Sequence, residues 1–110
     1  MASTFKNAIY PSIGTSLVDV YTAGVGVQAT VIGVSIANVT EALVYVDVKV
    51  FDSSANTSGF LIKSAPVESG GSFIVVGGEQ KVVLEANDAI RVSSSTASSV
   101  DCVMSVLEIS

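Results

Sequence analysis

The side chains that could carry out chemistry are few in this sequence. It has no histidine and a single cysteine, Cys102, so it can form neither a Ser-His-Asp nor a Cys-His pair. Its serines lie outside any G-x-S-x-G nucleophile motif. Cys102 follows Asp101 within an alternating apolar segment, which predicts a buried, inert thiol whose pKa the neighbouring carboxylate raises. Nucleophilic catalysis is therefore not expected.

The acidic residues offer one further route to catalysis. Asp47 could meet Glu85 or Asp88 across neighbouring strands and form the carboxylate pair of a glycosidase. Ten carboxylates on a small surface also meet by chance, and their ordinary role is to keep a protein soluble. We expect no catalytic residue and no enzyme activity.

Metal and cofactor motifs are equally sparse. One thiol without histidine cannot hold zinc. The polar loop Asp52–Gly59 offers a single carboxylate together with Asn56 and hydroxyls, which favours a solvated loop over a calcium site. Gly24-x-Gly26 lacks the third glycine and the following helix of a dinucleotide site. We expect no metal and no cofactor.

Composition limits the class of protein and its partners. The 110 residues are 49% hydrophobic and 14% charged with a net charge of −5, which fits one folded domain and excludes a disordered chain or a coiled coil. The five cations are spread singly, which disfavours nucleic acid as a partner. No apolar run approaches the ~20 residues of a membrane span. The opening MASTFKNAIYPS lacks a secretory pattern, which suggests synthesis and assembly in a cytoplasm.

The elements that would position these residues are strands. In Leu43–Phe51, four valines alternate with Tyr45, Asp47, Lys49 and Phe51, which predicts a strand with one buried face. The other predicted strands are Leu17–Tyr21, Thr30–Asn38 with a kink at Gly33, Phe60–Lys63, Ser72–Val76, Gln80–Glu85, Ile90–Ser94 and Val100–Ile109. Gly77-Gly78 predicts a tight hairpin. The sequence thus predicts an all-β protein with little or no helix: a single β-sandwich or jelly-roll-like domain of seven or eight short antiparallel strands.

Both prolines, Pro11 and Pro66, fall outside the predicted strands. Pro11 separates an N-terminal arm, residues 1–11, from a β-sandwich domain, residues 12–110. Phe5, Ile9 and Tyr10 give the arm an apolar stripe and are the candidate interface residues. Two alternatives remain: the arm reaches a neighbouring subunit or shell, or it is an edge strand of its own sandwich.

A resemblance adds to this interpretation. In the segment Gly78–Val92, a lysine-and-valine strand leads into a Leu-x-x-x-Asp-x-Ile turn, and a serine-rich hairpin follows. Together with Ile13–Ser16 and the closing Val106–Ile109, it resembles the small β-sandwich virion structural proteins of tailed bacteriophages, most of all capsid decoration (cement) proteins. Asn87 stands where such turns often have glycine, and asparagine tolerates positive φ.

The resemblance implies a non-enzymatic protein on the capsid exterior that stabilises contacts between major capsid protein subunits. It also implies self-association as a homotrimer at local three-fold positions. Two alternatives stay open: a tail, baseplate or fibre component of the virion, and a carbohydrate- or receptor-binding β-sandwich.

Overall fold

The computed structural model describes residues 3–77 and 81–110, which form nine strands and no helix. The strands are β1 (Ser3–Ile13), β2 (Val18–Thr22), β3 (Gln28–Asn38), β4 (Val44–Asp52), β5 (Thr57–Val67), β6 (Ser72–Val76), β7 (Val82–Leu84), β8 (Ala89–Ser94) and β9 (Val100–Ile109). All described strand pairs are antiparallel. The all-β prediction is confirmed.

The strands form two sheets. One has the order β1-β9-β3-β6 with β7 also pairing with β3, and the other has the order β2-β8-β4-β5. Because β6 and β7 follow one another along the same edge of β3, they act as one interrupted strand, and the chain then has the strand order of a jelly roll. The two sheets bury one continuous core between their inner faces.

β4 shows how the alternating sequence builds this core. Val44, Val46 and Val48 are fully buried, whereas Tyr45 is 47% exposed on the opposite face. From the other sheet, Ile36, Met104 and Val106 are equally buried. Period-two alternation is enough to direct these valines inward, because successive side chains of a strand point to opposite faces. The predicted faces of this strand are confirmed.

Two predictions about glycines have different outcomes. The kink at Gly33 is confirmed, because the register between β3 and β9 shifts between Val31 and Gly33. The hairpin at Gly77-Gly78 is wrong for the described residues. β6 and β7 both run antiparallel to β3, so they point the same way and cannot pair with each other as a hairpin. Gly78 itself, with Glu79 and Gln80, lies outside the described residues.

The prolines lie within strands, not outside them. Pro11 belongs to β1 and Pro66 to β5, and both are the outermost strands of their sheets. An edge strand tolerates proline because one of its sides makes no ladder hydrogen bonds. The expectation that proline marks the end of a strand therefore failed at both positions.

Candidate interaction surfaces

The segment predicted as an arm is a strand of the five-stranded sheet. Residues 3–10 pair in continuous register with β9, from Ser3 opposite Ile109 to Tyr10 opposite Cys102. Ser12 has a positive φ of 55°, and its backbone N–H donates to the Asp101 carboxylate at 2.9 Å. The break in register falls at this point, before Ile13 enters the core.

The three candidate interface residues do not share one face of β1. Phe5 and Ile9 are 75% and 63% exposed on the outer face of the sheet. Tyr10 is opposite the buried Cys102 and therefore lies on the inner side of the strand, near the rim of the sandwich. The structure thus brings Phe5 and Ile9 together on one surface and leaves Tyr10 apart from them.

Register extends this surface across the whole sheet as three rows. The first row is Ile9, Val103, Ser35 and Ile74; the second is Asn7, Ser105 and Gly33; the third is Phe5, Leu107, Thr30 and Val83. We call these eleven residues the apolar face. Ile74 and Val83 are 69% and 65% exposed, and the rows contain no charged side chain. Two rows of mostly apolar residues therefore lie on either side of a row of small and polar residues.

The outer face of the four-stranded sheet is different in kind. One of its rows is Asp19, Arg91, Lys49 and Phe60. The Arg91 Nε lies 2.6 Å from an Asp19 carboxylate oxygen, and Lys49 Nζ lies 4.7 Å from the centre of the Phe60 ring. Asp19 and Arg91 form an ion pair, and the Lys49 ammonium group covers the Phe60 ring, as expected of a face exposed to solvent.

A partly exposed polar cluster ties β1, β2 and β9 together. The Tyr21 hydroxyl donates a hydrogen bond to the Glu108 carboxylate, whose other oxygen lies 3.0 Å from Lys6 Nζ. The hydrogen bond from Tyr21, and then that from Lys6, holds the pKa of Glu108 below its ordinary value of 4.5. Burial, and then the bond to Glu108, raises the pKa of Tyr21. This cluster fixes the edge strand to the other sheet.

The acidic residues meet in an arrangement that the sequence predicted only in part. Asp88 and Glu85 lie together with Asp52, with one carboxylate oxygen of each within 4.8 Å of the others. Asp47 is not in this group: it lies in β4 opposite Ser93. The glycosidase-type pairing of Asp47 with Glu85 or Asp88 is therefore absent from the described fold.

Asp88 uses its oxygens for the fold. It is 4% exposed, and its two carboxylate oxygens accept backbone N–H groups from Ser53 and Glu85, each at 2.9 Å. Asn87 before it has a φ of 70°, as the turn motif predicts. The aspartate of the Leu-x-x-x-Asp-x-Ile motif thus joins the β4–β5 and β7–β8 turns, a role the sequence alone did not indicate.

The predicted loop Asp52–Gly59 is shorter in the structure: Asp52 ends β4 and Thr57 begins β5, and the turn of residues 53–56 between them is likewise organised from within. The Asp52 carboxylate accepts hydrogen bonds from the Ser54 hydroxyl and the Ala55 backbone N–H, and these bonds lower its pKa, the one from Ser54 most. An open groove of about 550 Å³ lies beside it, between Gln28, Ser54 and Glu85. Its described lining holds no aromatic ring on which a sugar could stack.

Cys102 is fully buried in β9, and burial raises the pKa of its thiol to about 12. A thiol in that state is neither a nucleophile nor a metal ligand at neutral pH. The described residues also include no helix long and apolar enough to cross a membrane.

The fold places this chain among small jelly-roll β-sandwiches. No family model matches the sequence, and none of the curated proteins is similar to it. Solved structures do share the fold. A chain of the acid-stable capsid of Helicobacter pylori bacteriophage KHP30 is 15% identical with a TM-score of 0.52, covering 100% of this chain and 94% of that one.

Two further structures share the fold at 7% identity. A chain of the Bacillus endospore appendages, which are disulfide-linked pili, has a TM-score of 0.55 and covers 99% of this chain and 87% of that one. A chain of the T13 viral particle of IBDV has a TM-score of 0.53 and covers 96% of this chain and 35% of that one. These three structural neighbours are thus components of virus particles and of a pilus.

Sequence reasoning identified only one edge of the apolar face. Phe5 and Ile9 drew attention because they lie in a mostly polar segment. Ile74, Val83 and Val103 come from three strands whose own patterns are ordinary. Strand order and register bring them together, and neither can be read from one strand alone.

Proposed function

We propose that this chain is a non-enzymatic structural protein of a virion, which binds the outside of the capsid and stabilises contacts between major capsid protein subunits. The observation that supports it most is the match of the whole chain to a chain of a phage capsid, covering 100% of one and 94% of the other. The likeness in sequence to decoration proteins of tailed phages, found independently in the turn motif and the strands, points the same way.

The side-chain chemistry of the described residues supports a structural role. The carboxylates that lie together include Asp88, whose oxygens are used by two backbone N–H groups, and the thiol of Cys102 is buried. Among the described residues, exposed apolar side chains and exposed charged side chains remain available to a partner. A charge of −5 suits a basic rim on a shell.

A disulfide-linked pilus is less well supported. The endospore appendages are described as disulfide-linked, whereas the one cysteine of this sequence is fully buried in β9. Linking two copies through Cys102 would require the core to open.

A free homotrimer is part of the proposal, since a hydrophobic fraction of 49% leaves apolar surface on a small sandwich.

The test is the copy number of this protein in purified particles of the virus that carries its gene. Quantitative mass spectrometry with isotope-labelled peptides would give its ratio to the major capsid protein. Hundreds of copies per particle, accessible to gold-labelled antibody on intact particles, are expected. A handful of copies would instead make it a tail, baseplate or fibre component, and its absence from particles would overturn both.

A further inference from the structure

We infer that Asp101 is a positioning residue for β1. Its carboxylate holds residues 3–10 in the register that turns Phe5 and Ile9 outward, against a second register that would turn both inward. Phe5 and Ile9 are 75% and 63% exposed, so the choice of register decides whether these two side chains face solvent. The inference goes beyond the proposed function, because it concerns how this surface is formed and not what binds to it.

A β-bulge near the end of β1 separates the two registers. Two residues of β1, Pro11 and Ser12, lie opposite the single residue Asp101 of β9, because the register shifts between Tyr10 and Ile13. Ser12 has a φ of 55°, a left-handed conformation that is unfavourable for a residue other than glycine. The Ser12 backbone N–H donates to the Asp101 carboxylate at 2.9 Å. The carboxylate therefore stabilises a bulge that the backbone alone disfavours.

The extra residue in the bulge decides which side chains of β1 face the core. With the bulge, Ala8 lies opposite the fully buried Met104. Without it, regular pairing would bring Ile9 to that position instead. Because a slip by one residue reverses both faces of a strand, Phe5 would also turn inward and Lys6 would turn outward. The apolar residues of β1 are thus exposed as a consequence of the bulge.

β5 has the same arrangement with the opposite result. Its residues Lys63 and Ser64 lie opposite Asp47 of β4. Ser64 has a φ of 53°, and its backbone N–H donates to the Asp47 carboxylate at 2.6 Å. This bulge turns Ile62 toward the core and leaves Lys63 exposed. In β5 the bulge serves apolar burial, whereas in β1 it works against it, so burial alone does not explain the register of β1.

A second polar contact fits only the observed register of β1. The Lys6 Nζ lies 3.0 Å from a carboxylate oxygen of Glu108, which also accepts the Tyr21 hydroxyl of the other sheet. In the unshifted register Lys6 would lie opposite Leu107 on the outer face and would lose this ion pair. The Lys6 side chain is 54% exposed, and an ion pair so exposed contributes little to stability. The contact of Asp101 with the bulge is therefore the main determinant of the register.

Two pairs of cysteines in the full-length protein report the register. Asn7 lies opposite Ser105 in the observed register, and Ala8 would lie opposite Ser105 in the unshifted one. The observed-register pair is Asn7→Cys with Ser105→Cys, and the unshifted-register pair is Ala8→Cys with Ser105→Cys. Opposite Cα atoms of antiparallel strands are about 4.5–5.5 Å apart, which a disulfide can span. The folded proteins are oxidised with glutathione disulfide, and mass spectrometry locates the bond, because Cys102 is a further thiol.

With Asp101 in place, the observed-register pair is expected to close and the unshifted-register pair to stay open. Deletion of Ser12 removes the extra residue and should reverse this preference. Asp101→Ala should raise the closure of the unshifted-register pair relative to the other by about tenfold or more, the ratio expected for the loss of one hydrogen bond to a charged group. Asp101→Asn should behave as wild type, because its amide oxygen still accepts. Asp47→Ala is the matched control, since it removes the same contact from β5 and not from β1.

Each remaining outcome overturns a defined part of the inference. Equal closure of both pairs with Asp101 in place would show that the register of β1 is not fixed. An open unshifted-register pair after deletion of Ser12 would show that the second register does not exist. An Asp101→Ala variant that keeps the wild-type β-sheet spectrum and the wild-type preference would refute the role of Asp101. If that variant does not fold, Asp101→Val, which favours a strand, gives the same comparison, and loss of the fold in both would refute a role confined to register.

Discussion

The replacement of Val46 by aspartate tests the whole assignment of inner and outer faces. Val46 is fully buried in β4 between the sheets, opposite Ala65 on one side and Ser94 on the other. Removing the valine forfeits about 1.5–3 kcal/mol of apolar burial. Leaving a carboxyl group in its place without a hydrogen-bond partner costs about 1–3 kcal/mol more, even when it is protonated.

These two costs add to about 2.5–6 kcal/mol in the free energy of unfolding. A chain of 110 residues is stable by about 5–15 kcal/mol, so Val46→Asp removes between about a sixth and all of the stability. The matched control is Val25→Asp, the same change at a turn residue that is 88% exposed, where we expect less than about 0.5 kcal/mol.

Urea unfolding followed by far-ultraviolet circular dichroism is the suitable assay, because the chain has no tryptophan. All variants must be compared at one protein concentration, since association would add to the apparent stability. The deficit of Val46→Asp relative to wild type should also shrink as the pH falls from 7 toward 4, because burial raises the pKa of the new carboxyl group and protonation removes its charge. An equal loss in Val46→Asp and Val25→Asp would refute the face assignment.

Three further predictions test two polar contacts of the sandwich and its buried thiol. Asn38→Ala should lower the free energy of unfolding by about 2–4 kcal/mol in urea titrations, because the amide donates to the buried Val67 carbonyl at 2.8 Å and to the Ala42 carbonyl at 2.7 Å. Because the pKa of Glu108 is lowered in the folded protein, its contribution to stability is present above pH 4.5 and is lost as the pH falls below that value. Tyr21→Phe should therefore lose less melting temperature between pH 6 and pH 3 than wild type does. An equal loss in both proteins would contradict this linkage. Cys102 should react with a thiol reagent at pH 8 only at the rate of unfolding, and rapid labelling of the native protein would show that β9 opens locally.

The sequence predicted the inward half of this structure better than its edges. Valines at every second position of β4 predict both the strand and its buried face, because a one-residue slip would expose all of them. β1 has no such alternation: of its eleven residues only Ile13 is buried, so nothing local distinguishes it from a free arm. It is held by pairing with β9, almost one hundred residues away, and a local sequence pattern does not indicate so long-range a contact.

The failed hairpin at Gly77-Gly78 has a related cause. Two strand-like segments separated by two glycines satisfy the local rule for a tight turn. The edge of β3 is long enough to accept both segments in succession, β6 against residues 34–37 and β7 against residues 29–31. Each segment pairs with the buried central strand and not with the other segment, so a long-range partner replaces the one that the local rule predicts.

The same reasoning explains why the candidate site was found in part. Reactive groups can be read from residue types, and their scarcity was visible at once. A surface that forms through strand register cannot be recognised from residue types, because its members are neighbours only across strands, as with Ile9, Val103 and Ile74.

What separates the two outer faces is where the charges lie, not how apolar the chain is. β4 alternates valine with Asp47 and Lys49, so its outer face is charged wherever its inner face is apolar. β9 alternates its buried residues with Asp101, Val103, Ser105, Leu107 and Ile109, so its outer face is uncharged from Val103 to the end of the strand. Uncharged and mostly apolar outward residues gain little hydration free energy when that side of the strand is exposed to water. The two sheets therefore differ in what they expose: the five-stranded sheet leaves Phe5, Ile9, Ile74 and Val83 on its outer face, and the four-stranded sheet places Asp19, Arg91 and Lys49 there.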